Sequence, residues 1–316
     1  MSPGRRAQRR GIAAALLAAV FLGSAPIFGK QAYAVGMSPI ALAAWRTLLA
    51  AAGLWLVYAL IGRKYFYIYP VGLIGCVAAG AINGFGSLLY YTGLQRVDAG
   101  VGQLVYSLYP IFLVMLLRLD GHRFSNLTLV RVILAILAVG LLMQTGSDPV
   151  DLTGLGLMLG AGLAYALHLS IGQRVSYEMP AQTLTLYTLT SMAVVVSAAH
   201  VIAGWTPVPD AAWQSTIGLA LVTVCSRLAM FLGVKRLGSL QTALIGITEI
   251  LVTLLLALTL LNEALSVRQW IGAVILISSL LLIGREPTLG GSLRRRTRTR
   301  EAVTSPSSTT IATGSK

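Results

Sequence analysis

The chain has 316 residues, of which 56% are hydrophobic and 11% charged, and its formal net charge is +14. Soluble domains run near a quarter charged, so a water-facing globule of this length is excluded and lipid is the expected solvent. The positive balance does not indicate nucleic acid, because the basic residues fall between apolar segments instead of forming one patch.

A hydrocarbon core of about 30 Å takes about 20 helical residues. Stretches of that size follow in order at about 12–34, 38–61, 68–94, 99–118, 126–145, 154–173, 181–204, 212–234, 239–261 and 267–284. They are continuous runs rich in Leu, Ala and Gly without polar alternation, which predicts helices and not barrel strands. Residues 1–11 read as a short cytoplasmic N-terminus with four arginines. The apolar run from Gly11 to Gly23, followed by Gly23-Ser24-Ala25, also has the form of a signal peptide. Its removal would leave an unpaired set of spans, so an uncleaved first helix is expected. Residues 286–316 change to an Arg-rich patch and then a Ser/Thr-rich end, read as a disordered cytoplasmic tail. Its arginines serve either anionic head groups or topology.

The apolar pattern is written twice. Tyr91-Thr-Gly-Leu-Gln-Arg-Val-Asp-Ala99 and Phe231-Leu-Gly-Val-Lys-Arg-Leu-Gly-Ser239 lie roughly 140 residues apart, and the same offset superposes whole apolar blocks. The expected domains are residues 12–145 and 153–284, each with five spans. An odd number of crossings turns the second unit upside down. The predicted fold is therefore an all-α membrane protein of ten transmembrane helices in two inverted five-helix repeats, the pattern of a secondary transporter. With the N-terminus inside, nineteen of the 24 Lys and Arg residues fall in inner segments, while Arg96 and Arg268 are outside and Lys30, Arg46 and Arg227 lie within spans. The positive-inside rule then places both termini in the cytoplasm.

Ionisable residues inside a span are costly and are site candidates by default. At about 1.5 Å per residue, Glu249 lies about 15 Å from the inner edge, Arg227 about 10 Å from it, and Arg46 about 12 Å from the outer edge. Thr242, Gly246, Glu249 and Thr253 share one face of span 9, and Gly102, Tyr106, Tyr109 and Leu113 are their partners on span 4. Asn83, Ser87, Tyr90 and Tyr91 cluster on span 3, where Ser87 is the repeat equivalent of Arg227. These faces are expected to line a central cavity for a small amphipathic solute. In it Arg46 or Arg227 would meet a carboxylate, the tyrosines would cover apolar surface, and Glu249 would take an amine or a proton. His168 is a second candidate for proton coupling. A structural Arg227–Glu249 pair stays open as an alternative, Lys30 reads as a snorkelling anchor, and His200 as ordinary. Cys76 and Cys225 read as small buried hydrophobes, and the glycine pairs Gly80/Gly84 and Gly156/Gly160 as helix-packing positions.

Phe21-Leu-Gly-Ser-Ala-Pro-Ile-Phe-Gly-Lys30, Ser38-Pro-Ile-Ala-Leu-Ala-Ala-Trp-Arg46 and the acidic turn Asn262-Glu-Ala-Leu-Ser-Val-Arg-Gln-Trp-Ile-Gly272 together resemble the drug/metabolite transporter superfamily, and within it the EamA-type exporters. The likeness covers nearly all of residues 11 to 285. Members commonly carry Glu-Pro in the fourth and ninth helices, where this chain has Tyr109-Pro110 and Glu249-Ile250. The acidic turn has Asp120-Gly121-His122 as its first-half counterpart. The resemblance implies an exporter in the bacterial inner membrane.

No paired acids, metal-ligand spacing or phosphate-cradling motif occurs within the spans, so neither an enzyme nor direct ATP coupling is expected, and no cofactor or metal. The expected function is alternating-access export of small metabolites such as amino acids, with proton coupling as an option. The competing reading is a membrane receptor or lipid-translocating scaffold that binds a ligand between the repeats. The expected partners are a small-molecule substrate and the lipid bilayer, and a homodimer is left open.

Overall fold

The computed structural model describes residues 3–119, 151–177, 179–263 and 266–281, with positions 130, 133, 134, 137, 138 and 141. Most of the expected fifth span, Asp120-Gly121-His122 and the tail from 286 lie outside the described residues. The helices, in chain order, are α1 (Pro3–Ala34), α2 (Pro39–Ile61), α3 (Pro70–Arg96), α4 (Ala99–Tyr106), α5 (Tyr109–Leu119), α6 (Leu152–Ser176), α7 (Ala181–Ile202), α8 (Trp213–Leu237), α9 (Ser239–Gly246), α10 (Thr248–Leu260) and α11 (Val267–Leu281). Among the described residues 8 segments are long and apolar enough to cross a membrane, the pairs α4–α5 and α9–α10 each supplying one.

Local chemistry starts these helices where the sequence suggests. Pro39 and Pro70 occupy first-turn positions, where the missing N–H costs nothing. Ser38 Oγ accepts from the Ala41 N–H at 3.2 Å, and Asp151 accepts from the N–H groups of Thr153 and Gly154 at 2.8 and 3.2 Å. Gly238, at φ 88, makes the tight corner between α8 and α9.

Two spans are broken near their middles: the fourth, where Pro110 predicts an interruption, and the ninth, expected to be continuous. The first break runs through Ser107 and Leu108, between α4 and α5, and the second falls at Ile247, between α9 and α10. Pro110 accounts for the first, since it offers no N–H to the Tyr106 carbonyl one turn earlier. The second has no proline. There Ile247 N–H bonds the Leu244 carbonyl at 3.3 Å, a tightened turn that leaves the Ala243 carbonyl without its helical donor. Tyr109 Oη fills that vacancy, donating to Ala243 O at 3.3 Å from the first break. The two breaks therefore complete one another.

Helix ends sort into two sets. At one end Gly11 meets Leu237, Lys235 donates to the Met179 carbonyl at 2.8 Å, and Gln173 Oε1 accepts from Ser239 N–H at 2.7 Å. At the other, Arg96 pairs with Asp151 at 3.0 Å, and Trp45 Nε1 donates to Thr206 O at 3.1 Å. Across the halves, α1 lies along α8 and α10, α3 along α6 and α7, and α2 along α7. The core is thus shared between the halves.

Small residues let the backbones approach. A side chain at Gly80 would collide with the Thr188 carbonyl, and one at Gly23 with the Glu249 carbonyl. Gly84 likewise faces α7 and Gly160 faces Leu89, whereas Gly156 has nothing within 4 Å and is not a packing position. Cys76 is buried as expected, but Cys225 is exposed on the outer face of α8, so its side chain is not part of the core.

Candidate functional site

Between the halves lies a cavity of about 60 Å³ with Arg46, Asn83, Ser87, Tyr90, Tyr106, Arg227 and Glu249 in its wall. That is small beside ligand pockets of about 300–1,000 Å³. Those residues come from α2, α3, α4, α8 and α10, so helices far apart in sequence converge on one point. Gln103, Tyr165, Thr223 and Ser226 also line it and were not singled out from the sequence. A readable signal existed for each. Gln103 stands three residues before Tyr106, Tyr165 three before His168, and Thr223 and Ser226 precede Arg227 on the same helix.

The two buried arginines have different surroundings. Arg46 donates from Nη1 to Thr223 Oγ1 at 2.8 Å and from Nη2 to Ser87 Oγ at 2.6 Å. Its guanidinium lies over the Tyr91 ring, 4.7 Å from the centroid, and its Nε is buried with no hydrogen-bond partner. Arg227 donates from Nη2 to Asn83 Oδ1 at 3.2 Å, and its Nη1 lies 3.2 Å from His168 Nε2. His168 Nδ1 is 3.0 Å from the Ala79 carbonyl. These contacts select one tautomer: Nδ1–H donates to Ala79 and Nε2 accepts from Arg227. A second proton on that ring would set two donors against each other. His168 sits outside the cavity wall, behind Arg227, with both nitrogens engaged.

Glu249 stands in the first turn of α10, just after the second break. Its side chain has no exposure to solvent, and neither carboxyl oxygen has a hydrogen-bond partner. Ser107 of the first break is a neighbour of this carboxyl. Arg227 acts on Glu249 through space but makes no ion pair with it. Among the described residues the one ion pair is Arg96–Asp151. The alternative of a directly bonded Arg227–Glu249 pair is therefore not what the side chains form.

A chain of rings closes the other side. Tyr90 packs against Tyr106 at 5.0 Å between centroids, Tyr106 against Tyr165 at 5.5 Å, and Tyr165 against Tyr109 at 4.8 Å. Tyr90 Oη donates to Gln103 Oε1 at 3.2 Å. Tyr109 was expected in the cavity wall. It turns instead to Gly246 and the Ala243 carbonyl, where it supports the break. Lys30 is half-buried near Glu263 and Asp98, away from this cavity. His200 is buried against the Thr206 backbone.

Chemically the cavity offers two fixed cations, one carboxyl and an aromatic wall. A buried carboxyl without a bonded cation calls for a proton or a cationic ligand, and a buried guanidinium N–H without an acceptor calls for an anion. Among the described residues no three His, Cys, Asp or Glu side chains are grouped to hold a metal ion.

The profile of the EamA-like transporter family matches residues 9–144 and again 152–285, once in each half. The threonine/homoserine exporter RhtA of Salmonella typhimurium (strain LT2) is 29% identical over 216 residues, which is 64% of this chain and 69% of that protein. The uncharacterized transporter YcbK of Bacillus subtilis is 27% identical over 276 residues, 81% of this chain and 87% of that one. A solved crystal structure superposes with a TM-score of 0.64 at 15% identity, covering 87% of this chain and 97% of the other. At that identity the likeness concerns the fold.

Proposed function

The chain belongs to the EamA-like transporter family, and we propose that it exports small zwitterionic metabolites, amino acids or related amphipathic compounds, by alternating access in exchange for protons. As a family member with many apolar helices it is a multi-pass membrane transporter. The finer architecture in this reading is ten spans in two inverted repeats, with both termini on the cytoplasmic side of a bacterial plasma membrane. Supporting it, the family profile matches twice, and α1 begins at the end of the molecule where α6 finishes. The equal breaks at Ser107 and Ile247 add a third parallel.

One observation carries the substrate reading: the unpartnered buried polar atoms that line the cavity are Arg46 Nε and the two oxygens of Glu249. An α-amino acid supplies the missing partners, its carboxylate to Arg46 and its ammonium to Glu249. The tyrosine wall would cover the apolar remainder. Arg227, already bonded to Asn83 and His168, adds positive charge without needing to touch the solute. Since a proton and an ammonium compete for one carboxyl, Glu249 alone can couple outward solute movement to inward proton movement, and this reading gives His168 no share. The narrowness of the cavity fits a closed conformation, and the two broken spans are natural hinges for opening it.

Threonine and homoserine are the first solutes to test, given the name of the Salmonella typhimurium relative. The full chain, reconstituted in vesicles loaded with a labelled amino acid, should release it faster when the outside is acidified, and the released solute should be matched by proton entry. Binding of the solute without flux would move the protein to the receptor class and overturn the reading.

A further inference from the structure

We infer that Glu263 is the clasp that closes the outer end of the cavity. The inference rests on the alternating-access reading above. Glu263 belongs to the turn between α10 and α11, where Asn262 adopts φ 54 and Glu263 N–H bonds the Ala257 carbonyl at 3.2 Å. This turn aims the carboxylate across the molecule at the first half. Glu263 Oε1 accepts from Ala99 N–H at 3.0 Å, and Oε2 accepts from Gly100 N–H at 3.1 Å.

Both bonds go to the first turn of α4, whose own preceding residue, Asp98, leaves those N–H groups uncapped by its side chain. A carboxylate gripping two orphan donors at the positive end of a helix is a strong form of cap. Here the cap comes from the other half of the molecule. The helix it holds is the short one that carries Gln103 and Tyr106 into the cavity wall and ends at the first break. The Lys30 ammonium of α1 lies within electrostatic range of both Glu263 and Asp98 without pairing directly with either.

The opposite end has a weaker counterpart. The first turn of α9 is held by Gln173 Oε1 through one neutral hydrogen bond to Ser239 N–H. A half-helix that moves when the cavity opens must first lose its cap, and the two caps differ in charge and number. Outer opening therefore requires the Glu263 bonds to break, and Glu263 is a positioning residue that sets how often this happens.

The test reads accessibility, which does not depend on which solute is carried. In a Cys76→Ala, Cys225→Ala background, Ala25→Cys places a thiol in the cavity wall of the full-length protein. Its reaction with a membrane-impermeant maleimide added from outside measures outer opening. Glu263→Ala should raise that rate about tenfold, in line with the loss of charge-assisted hydrogen bonds. Glu263→Gln, which keeps one acceptor and turns a donor toward the second N–H, should raise it less, and it serves if the alanine variant fails to fold. Glu263→Asp, with its carboxylate restored, should fall closest to the parent. Unchanged labelling in folded Glu263→Ala or Glu263→Gln protein overturns the clasp even if amino-acid flux is found. Gated labelling without flux of any tested solute would leave the clasp standing and remove the transport reading instead.

Discussion

The two mid-span breaks occupy equivalent places in the two halves, yet they hold opposite chemistry. The first follows α4 and presents Tyr109; the second follows α9 and presents Glu249. Tyr109 spends its hydroxyl on the Ala243 carbonyl of the second break, while Glu249 keeps both oxygens unpartnered beside the cavity. The backbone interruption is thus common to both halves and the ionisable group is not. One break uses its polar group to hold the other, and the other leaves its polar group unpartnered.

The most severe test of this contrast is Glu249→Gln. Gln keeps the shape of the side chain but can neither carry a charge nor exchange a proton, so pH-driven efflux should drop roughly 100-fold or more. Thermal stability should hold, because the amide keeps the shape of the carboxyl and carries no charge to be buried. Retention of the pH response would end the role assigned to Glu249 and collapse the distinction between the breaks.

Gly246→Ala attacks the meeting of the two breaks, since a methyl there would strike the Tyr109 hydroxyl. Overpacking of this kind costs about 1–3 kcal/mol, visible as a lower unfolding temperature in detergent. Combining it with Tyr109→Phe should recover part of the loss, whereas simple additivity would mean that the two residues do not share the strain. Tyr109→Phe alone should cost about 1 kcal/mol, the typical worth of one hydrogen bond, and leave pH-driven efflux near the parental rate. If it instead abolishes efflux while stability is unchanged, Tyr109 belongs with Glu249 and the division fails.

The mildest prediction concerns Asp151, outside the membrane and far from either break. Hydrogen bonding from Arg96 first, then from the Gly154 and Thr153 N–H groups, holds its carboxyl below the usual range. A depressed value stabilises the fold above the ordinary carboxylate pKa of about 4 and is lost as pH falls through the lowered value. Unfolding midpoints compared with Asp151→Asn should converge as the pH drops below that range. A gap that persists in acid would assign the difference to something other than this ionisation.

Much of the site could be read from the chain because charge in lipid is expensive. Arg46, Arg227 and Glu249 stand out against apolar spans for that reason, and helical spacing was enough to gather Asn83, Ser87, Tyr90 and Tyr106 beside them. The partners within the site could not be read in the same way. Arg227 might have met Glu249, yet it bonds Asn83 and His168, and nothing in one-dimensional spacing distinguishes those outcomes. Gln103 carries no charge, so the cost of burying charge in lipid did not single it out. Tyr109 was misplaced because its face was extrapolated along a continuous helix that the structure interrupts.

What the amino-acid order determined on its own is the solvent, the helical elements, the twofold repetition of the apolar pattern and the few buried ionisable groups. Each follows from local quantities: hydropathy over about 20 residues, the helical period, and the cost of a charge in hydrocarbon. The tertiary structure alone decided that the ninth span breaks without a proline, which arginine keeps an open donor, and that Glu263 caps a helix begun 164 residues earlier. Those outcomes depend on which carbonyls and N–H groups meet a donor or acceptor from the other half, and buried backbone groups in a membrane have no water to serve in its place.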